Sequence, residues 1–129
     1  MTQSDLTVLV VDDDDINLDI AQELLSQIGV KDVHLAASGL LGLKSIRGLK
    51  KIDFVLVDIY MPDMDGIEFI AELAQAGFAG AVIIISGVNV ETLDMARQLA
   101  AASGIKVAAA MEKPLSRADL ARALGINPL

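Results

Sequence analysis

The sequence contains no cysteine, which excludes disulfides and thiolate metal sites. A chain of this kind suits a reducing compartment, and a cytoplasmic location is the expectation. Aromatic residues make up only 3% of the 129 positions although 53% are apolar, so the core must be assembled from Val, Ile, Leu, Ala and Met. Long hydrophobic runs are missing as well. The longest, such as Ala79 to Ile85, are strand-sized and far short of the roughly 20 residues that span a bilayer. The start, Met1-Thr2-Gln3-Ser4-Asp5, lacks the basic and apolar stretches of a signal peptide, so no membrane partner is expected. Positive charge is scarce: 10 Lys and Arg stand against 18 Asp and Glu, for a net charge of −8. Nucleic acid binding needs clustered Lys and Arg, so nucleic acid is not expected as a direct partner.

What the chain does have is length for one ordinary domain, here residues 1–129, and a steady alternation of short apolar runs with helical patterns. There is no repeat, low-complexity linker or break in composition. Leu6–Val11 is a continuous β-rich run, as a strand buried on both faces should be. Ile16–Ile28 follows as a helix with Ile16, Ile20, Leu24 and Ile28 on one stripe, ended by Gly29. Strands are expected at Val33–Ala37, Asp53–Asp58, Ala81–Ser86 and Lys106–Met111. Helices are expected from Ser38 to about Arg47, at Gly66–Ala76, at Glu91–Ser103, and from Ser116 to Gly125. Five βα units with short connections imply a doubly wound α/β fold, a parallel sheet with helices on both faces. In such sheets chemistry is sought just beyond the carboxyl ends of the strands.

Those positions form a consistent set. The first strand ends in Asp12-Asp13, the third in Asp58 and the fourth in Ser86, while Lys113-Pro114 follows the fifth. Two carboxylates about 4 Å apart repel by roughly 4 kcal/mol at an effective dielectric near 20, so three of them ask for a proton or a cation. An all-oxygen set without His or Cys favours Mg²⁺ or a similar hard cation. A carboxylate in the middle of such a group can attack phosphorus, with metal and Lys neutralising the charge on the transferring group.

The stretches Val10-Val11-Asp12-Asp13 and Val57-Asp58-Ile59-Tyr60-Met61-Pro62-Asp63-Met64-Asp65-Gly66, with the pairs Ser86-Gly87 and Lys113-Pro114, resemble receiver domains of two-component response regulators. The resemblance runs from about Leu6 to Leu124, and Asp58–Gly66 is its most specific part. It implies a flavodoxin-like five-stranded sheet of order 2-1-3-4-5. It also implies a phospho-accepting signalling switch with Asp58 as acceptor. Mg²⁺ would be held by Asp12, Asp13, Asp58 and the backbone carbonyl of Tyr60, with Asp12 acting partly through water. Ser86 and Lys113 would bind the phosphoryl group, supported by Gly87 and by Pro114, the latter with the option of a cis bond. The partners implied are a histidine kinase or phosphotransfer protein, an output domain or partner protein, and, as an option, a second copy of the chain. Such a domain phosphorylates and dephosphorylates itself and turns over no external substrate.

Two departures stand out. The family usually places a switching aromatic three positions before its Lys, where this chain has Ala110. The segment from Ser86 to Lys113 is a few residues longer than usual, which is similar to receivers fused to cyclic-di-GMP phosphodiesterase domains. Bland readings suffice elsewhere. Asp14 and Asp15 suit a helix start, Asp63 and Asp65 a turn or cap, and Met61, Met64, Met95 and Met111 packing. His34 has no carboxylate or hydroxyl beside it in sequence and reads as structural or exposed. Tyr60 and Val88 flank the site. Two other functions remain on the table: a Mg²⁺-dependent phosphohydrolase of the haloacid dehalogenase type built on Asp12-Asp13-Asp14, and a phosphate-independent interaction domain that keeps the site as a relic. The first leaves Asp58 and the Met61–Gly66 stretch unexplained.

Overall fold

The computed structural model describes residues 5–49, 51–61, 63–87 and 90–126; Pro62 and Val88 lie outside them. Ten elements alternate strictly: β1 (Thr7–Val11), α1 (Asp15–Gln27), β2 (Asp32–Ala36), α2 (Gly39–Gly48), β3 (Phe54–Asp58), α3 (Gly66–Gln75), β4 (Ala81–Ser86), α4 (Val90–Ala102), β5 (Lys106–Glu112) and α5 (Arg117–Leu124). The strands pair in parallel in the order β2-β1-β3-β4-β5, as the sequence implies. Among the described residues no helix is long and apolar enough to cross a membrane.

Alternation along the strands explains the two helical layers. Val8 and Val10 of β1, Leu56 of β3 and Ile83 and Ile85 of β4 face one way and pack with α1 and α5 through Leu25 and Leu120. Leu9, Val11, Val55, Val57, Val82 and Ile84 face the other way and meet α2, α3 and α4 through Leu43, Phe69 and Leu93. Side chains of successive strand residues point to opposite faces, so a strand covered on both sides is apolar throughout. The helix starts follow their capping residues. Asp14, Ser38, Asp65 and Ser116 accept from the backbone N–H groups of Ile16, Leu41, Glu68 and Asp119.

One expectation is corrected. On α1 the stripe Ile16, Ile20, Leu24, Ile28 is not the buried face: Ile16 is 69% and Ile20 47% exposed, whereas Leu18, Ala21 and Leu25 are buried. Apolar residues occupy two adjoining stripes of this helix, and periodicity alone does not say which one the sheet covers. The bounds of β2 also shift by one residue, to Asp32–Ala36, because Thr7 of β1 pairs with Asp32 and its hydroxyl donates to the Asp32 carboxylate.

The join between β3 and α3 positions the site. The Gly66 N–H donates to the Ile59 carbonyl at 2.7 Å. A Cβ on Gly66 would lie 2.7 Å from the Ile59 Cα and 2.8 Å from the Asp58 carbonyl oxygen, both backbone atoms that cannot swing aside. The first turn of α3 therefore rests directly on the residues at the end of β3. Gly66→Ala should destabilise the fold by roughly 1–3 kcal/mol through overpacking, read as a lower urea midpoint at unchanged slope. An unchanged midpoint would show that the contact is relaxed.

Candidate functional site

Because all five strands run parallel, their carboxyl ends share one edge, and the singled-out residues meet there. Asp12 directly follows β1, Asp58 and Ser86 are the last residues of β3 and β4, and Lys113 directly follows β5. The carboxylates of Asp12, Asp13 and Asp58 each offer an oxygen within 4.8 Å of the others. Asp12 and Asp58 are buried and Asp13 is exposed, so the cluster has a buried floor and one wet side.

Most of the local bonds serve to aim these groups. Asp12 Oδ1 accepts from the Asp14 N–H at 2.9 Å, and Asp58 Oδ1 accepts from the Tyr60 N–H at 3.2 Å. That leaves the second oxygens, and Lys113 Nζ bridges both, 3.2 Å from Asp12 Oδ2 and 3.3 Å from Asp58 Oδ2. The lysine is itself tethered, since its backbone N–H donates to the Ser86 carbonyl at 2.9 Å. Ser86 is fully buried, and the Lys113–Pro114 bond is cis. Gly87 is exposed, and among the described residues a Cβ there would come near Lys113, at 3.9 Å.

The electrostatics are lopsided, with three carboxylates against one ammonium. Burial pushes the Asp58 carboxyl above its ordinary value; Lys113 opposes the shift and Asp12 adds to it. Burial alone would lower the Lys113 ammonium, but Asp58 and Asp12 outweigh it and hold its pKa up. Unit charges 4.8 Å apart interact by about 3 kcal/mol at an effective dielectric near 20, so each unrelieved carboxylate pair is a real cost. Oxygen donors at this spacing, with water able to reach Asp13, suit a hard divalent cation that keeps part of its hydration.

All the carboxylates, the hydroxyl and the lysine named from the sequence are brought to this edge. Asp14 and Asp65 act as caps, and Asp15 stands in the first turn of α1. Asp63 has a role that spacing alone did not reveal: its carboxylate accepts from the Gly39 and Leu40 N–H groups at 3.4 and 3.3 Å, tying the loop after β3 to the start of α2. His34 pairs instead with Asp32, two residues back on the same edge strand, at 2.9 Å. Sequence reasoning also missed the Ser86 carbonyl, because it considered side chains and this tether is main chain. Ala110 is half-buried on β5 and packs with the α4 side of the core. An open groove of about 540 Å³ runs past Ala108 and Ala110 between α4 and α5.

Known proteins share both sequence and shape with this chain. It is 44% identical over 86 residues to the transcriptional regulatory protein ZraR of Klebsiella oxytoca, a match covering 67% of this chain and 19% of that protein. It spans between 19% and 36% of the length of the first curated relatives it matches. A response regulator receiver domain protein from Clostridium thermocellum superposes with a TM-score of 0.80 at 26% identity, over 93% of this chain and 91% of the other. A chain of the CheX–CheY–BeF3–Mg²⁺ complex from Borrelia burgdorferi gives 0.77 at 26% identity, over 92% and 86%. The sequence profile of the response regulator receiver domain matches residues 8–125. This chain belongs to the response regulator receiver domain family of two-component signalling.

Proposed function

We propose that the chain is a phospho-accepting switch in which Asp58 takes a phosphoryl group from a phosphohistidine on a kinase or phosphotransfer protein, or from a small phosphodonor. The observation that carries this reading is the bridge of Lys113 Nζ to Asp12 and Asp58 inside a cluster of three carboxylates. The Borrelia relative solved with BeF3 and Mg²⁺ supports it. Asp12, Asp13 and Asp58, with the Tyr60 carbonyl, would hold Mg²⁺. When bound, the ion would offset carboxylate charge and the charge of the incoming phosphoryl oxygens.

The protein's own groups then have defined tasks. An Asp58 oxygen attacks phosphorus, and the bond to the donor's nitrogen or oxygen breaks, giving an acyl phosphate. Lys113 already points its ammonium at Asp58 and transfers its hydrogen bond to a phosphoryl oxygen. Ser86, at the end of β4, donates its hydroxyl to another. The chain changes its own state and its contacts with an output domain or partner, and it does not turn over an external substrate. The phosphohydrolase alternative is not favoured, because it leaves Asp58 without a task.

The exit route follows from Ala110. A methyl group has no rotamer to flip, so displacement of Ser86 cannot be passed to a ring on β5. Ser86 leads through Gly87 toward α4, and drawing it to the phosphoryl group would bias that helix, a local contact shifting a two-state element. A hydrogen bond to a charged group contributes about 1.5–3 kcal/mol, which sets a population shift of roughly 10- to 150-fold.

Four outcomes are expected. Intact mass after incubation with Mg²⁺ and acetyl phosphate should show one added phosphoryl group on the wild type and none on Asp58→Asn; a phosphoryl on Asp12 would favour the phosphohydrolase. In a metal titration, Asp13→Asn should bind Mg²⁺ about tenfold more weakly, a loss of about 1.4 kcal/mol, and equal affinities would remove Asp13 from the ligand set. Beryllofluoride with Mg²⁺ should perturb amides at Gly87 and in the first half of α4 strongly and those around Ala110 weakly. Ser86→Ala should still accept phosphate while losing most of the α4 response. Perturbation confined to the carboxylate cluster would instead support a phosphate-independent interaction domain.

A further inference from the structure

Charge is unevenly laid out around the edge strand β2. Residues 33–52 contain no Asp or Glu although the chain has 18, and they hold Lys44, Arg47, Lys50 and Lys51. β2 ends the sheet, with α1 packed on one side of it and α2 on the other. On α1, Asn17 and Ala21 line the cleft toward Lys113 and Leu115, on the α5 side. The opposite flank, with Asp19 and Glu23, borders Val33 of β2, and Asp15 stands one turn before Asp19. On α2, Gly42 faces α3, since a Cβ there would lie 2.9 Å from the Phe69 ring. With about 3.6 residues per turn, the flank away from α3 carries Leu40, Lys44 and Arg47. The edge strand thus has an acidic helix flank on one side of the sheet and a basic one on the other.

We propose that this edge is an interface with a second copy of the chain, in which α1 of each copy lies against α2 of the other. Asp15, Asp19, Glu23, Lys44 and Arg47 are all exposed, and among the described residues none is in an ion pair. The other charges nearby do not cancel the pattern. Asp32, on the α2 side of β2, is taken up by Thr7 and His34, and Lys31 stands at the amino end of the strand. A two-fold axis beside β2, along the strand direction, exchanges the two sides of the sheet, so acidic flank meets basic flank twice.

The levels agree as well. Val11 and Ala36, which end β1 and β2, are partners in register; α1 starts four residues after the first and α2 three after the second. Counted from those starts, Glu23 and Arg47 are both eight residues in, while Asp19 and Lys44 are four and five in, a difference of about 1.5 Å in height. Ile16 and Leu40, 69% and 62% exposed, are each one residue in and supply an apolar contact at the helix starts. A net charge of −8 makes two copies repel overall, and opposite charges at this edge fix the orientation in which they meet. No phosphoryl group takes part, so the interface stands whether or not Asp58 is an acceptor.

Sedimentation velocity of the full chain over a concentration series tests this. A reversible monomer–dimer equilibrium is expected, with a dissociation constant that rises at least about threefold between roughly 50 and 500 mM salt. Lys44→Glu with Arg47→Glu, and separately Asp19→Lys with Glu23→Lys, should each raise it at least about tenfold, with thermal unfolding confirming the fold. The first variant then has two acidic flanks and the second two basic ones, so an equal mixture should dimerise again although neither does alone. If a reversal prevents folding, Lys44→Gln with Arg47→Gln, which only removes charge, decides by a rise of at least about threefold. A monomer at every concentration, a dimer indifferent to these changes, or a mixture that stays monomeric overturns the interface. Binding to phosphatidylserine vesicles by a chain monomeric in solution, lost in Lys44→Glu with Arg47→Glu, assigns the α2 flank to a membrane and overturns it too.

Discussion

A single ammonium among three carboxylates is the interaction around which this edge of the protein is organised. Lys113 meets Asp12 and Asp58 only because the ends of four adjacent strands, β1, β3, β4 and β5, are held in line, and the parallel sheet supplies that alignment. The lysine's main chain is fixed to the Ser86 carbonyl, so the charge is placed by the backbone as much as by its own long side chain. Burying Asp12 and Asp58 without it would leave negative charge facing negative charge in a poorly solvated place. With it the cluster persists but stays short of positive charge, a state that favours any further cation or any group arriving with one.

The same edge shows how fold and chemistry share residues. Asp12 both faces Lys113 and accepts the Asp14 N–H, which helps shape the turn into α1. Asp58 both closes β3 and accepts the Tyr60 N–H. Asp63 and Asp65, a few residues on, belong to different helices by their bonds, the first to α2 and the second to its own α3. The loop after β3 is thus fastened at its start by Asp58, across to a neighbour by Asp63, and at its end by Asp65. The close seating of Gly66 on Ile59 completes that fastening.

Much of this was legible from residue types and order. Apolar runs gave the strands because both faces of the sheet are covered, and Asp and Ser marked the helix starts because their side chains cap them. The carboxylates, Ser86 and Lys113 were found because parallel topology leaves strand ends on one edge. What failed has a common cause. The face of α1 could not be chosen, since Ile16, Ile20, Leu18 and Leu25 are equally apolar and only the sheet decides among them. The reach of Asp63 to α2 is a contact across 24 positions, and the bond from Lys113 to Ser86 runs through atoms every residue possesses. Neither leaves a trace in spacing or composition.

β5 carries three consecutive alanines, Ala108, Ala109 and Ala110, at the edge of the sheet beside α4 and α5. Only Ala110 of the three packs on the α4 side, beside Val107; Ala108 and Ala109 pack on the α5 side. A methyl at that one place gives α4 a shallow contact where a larger side chain would interlock with it. The sheet therefore sets little resistance to a small shift of the helix at Ala110, and the seat of α4 is defined by its other contacts.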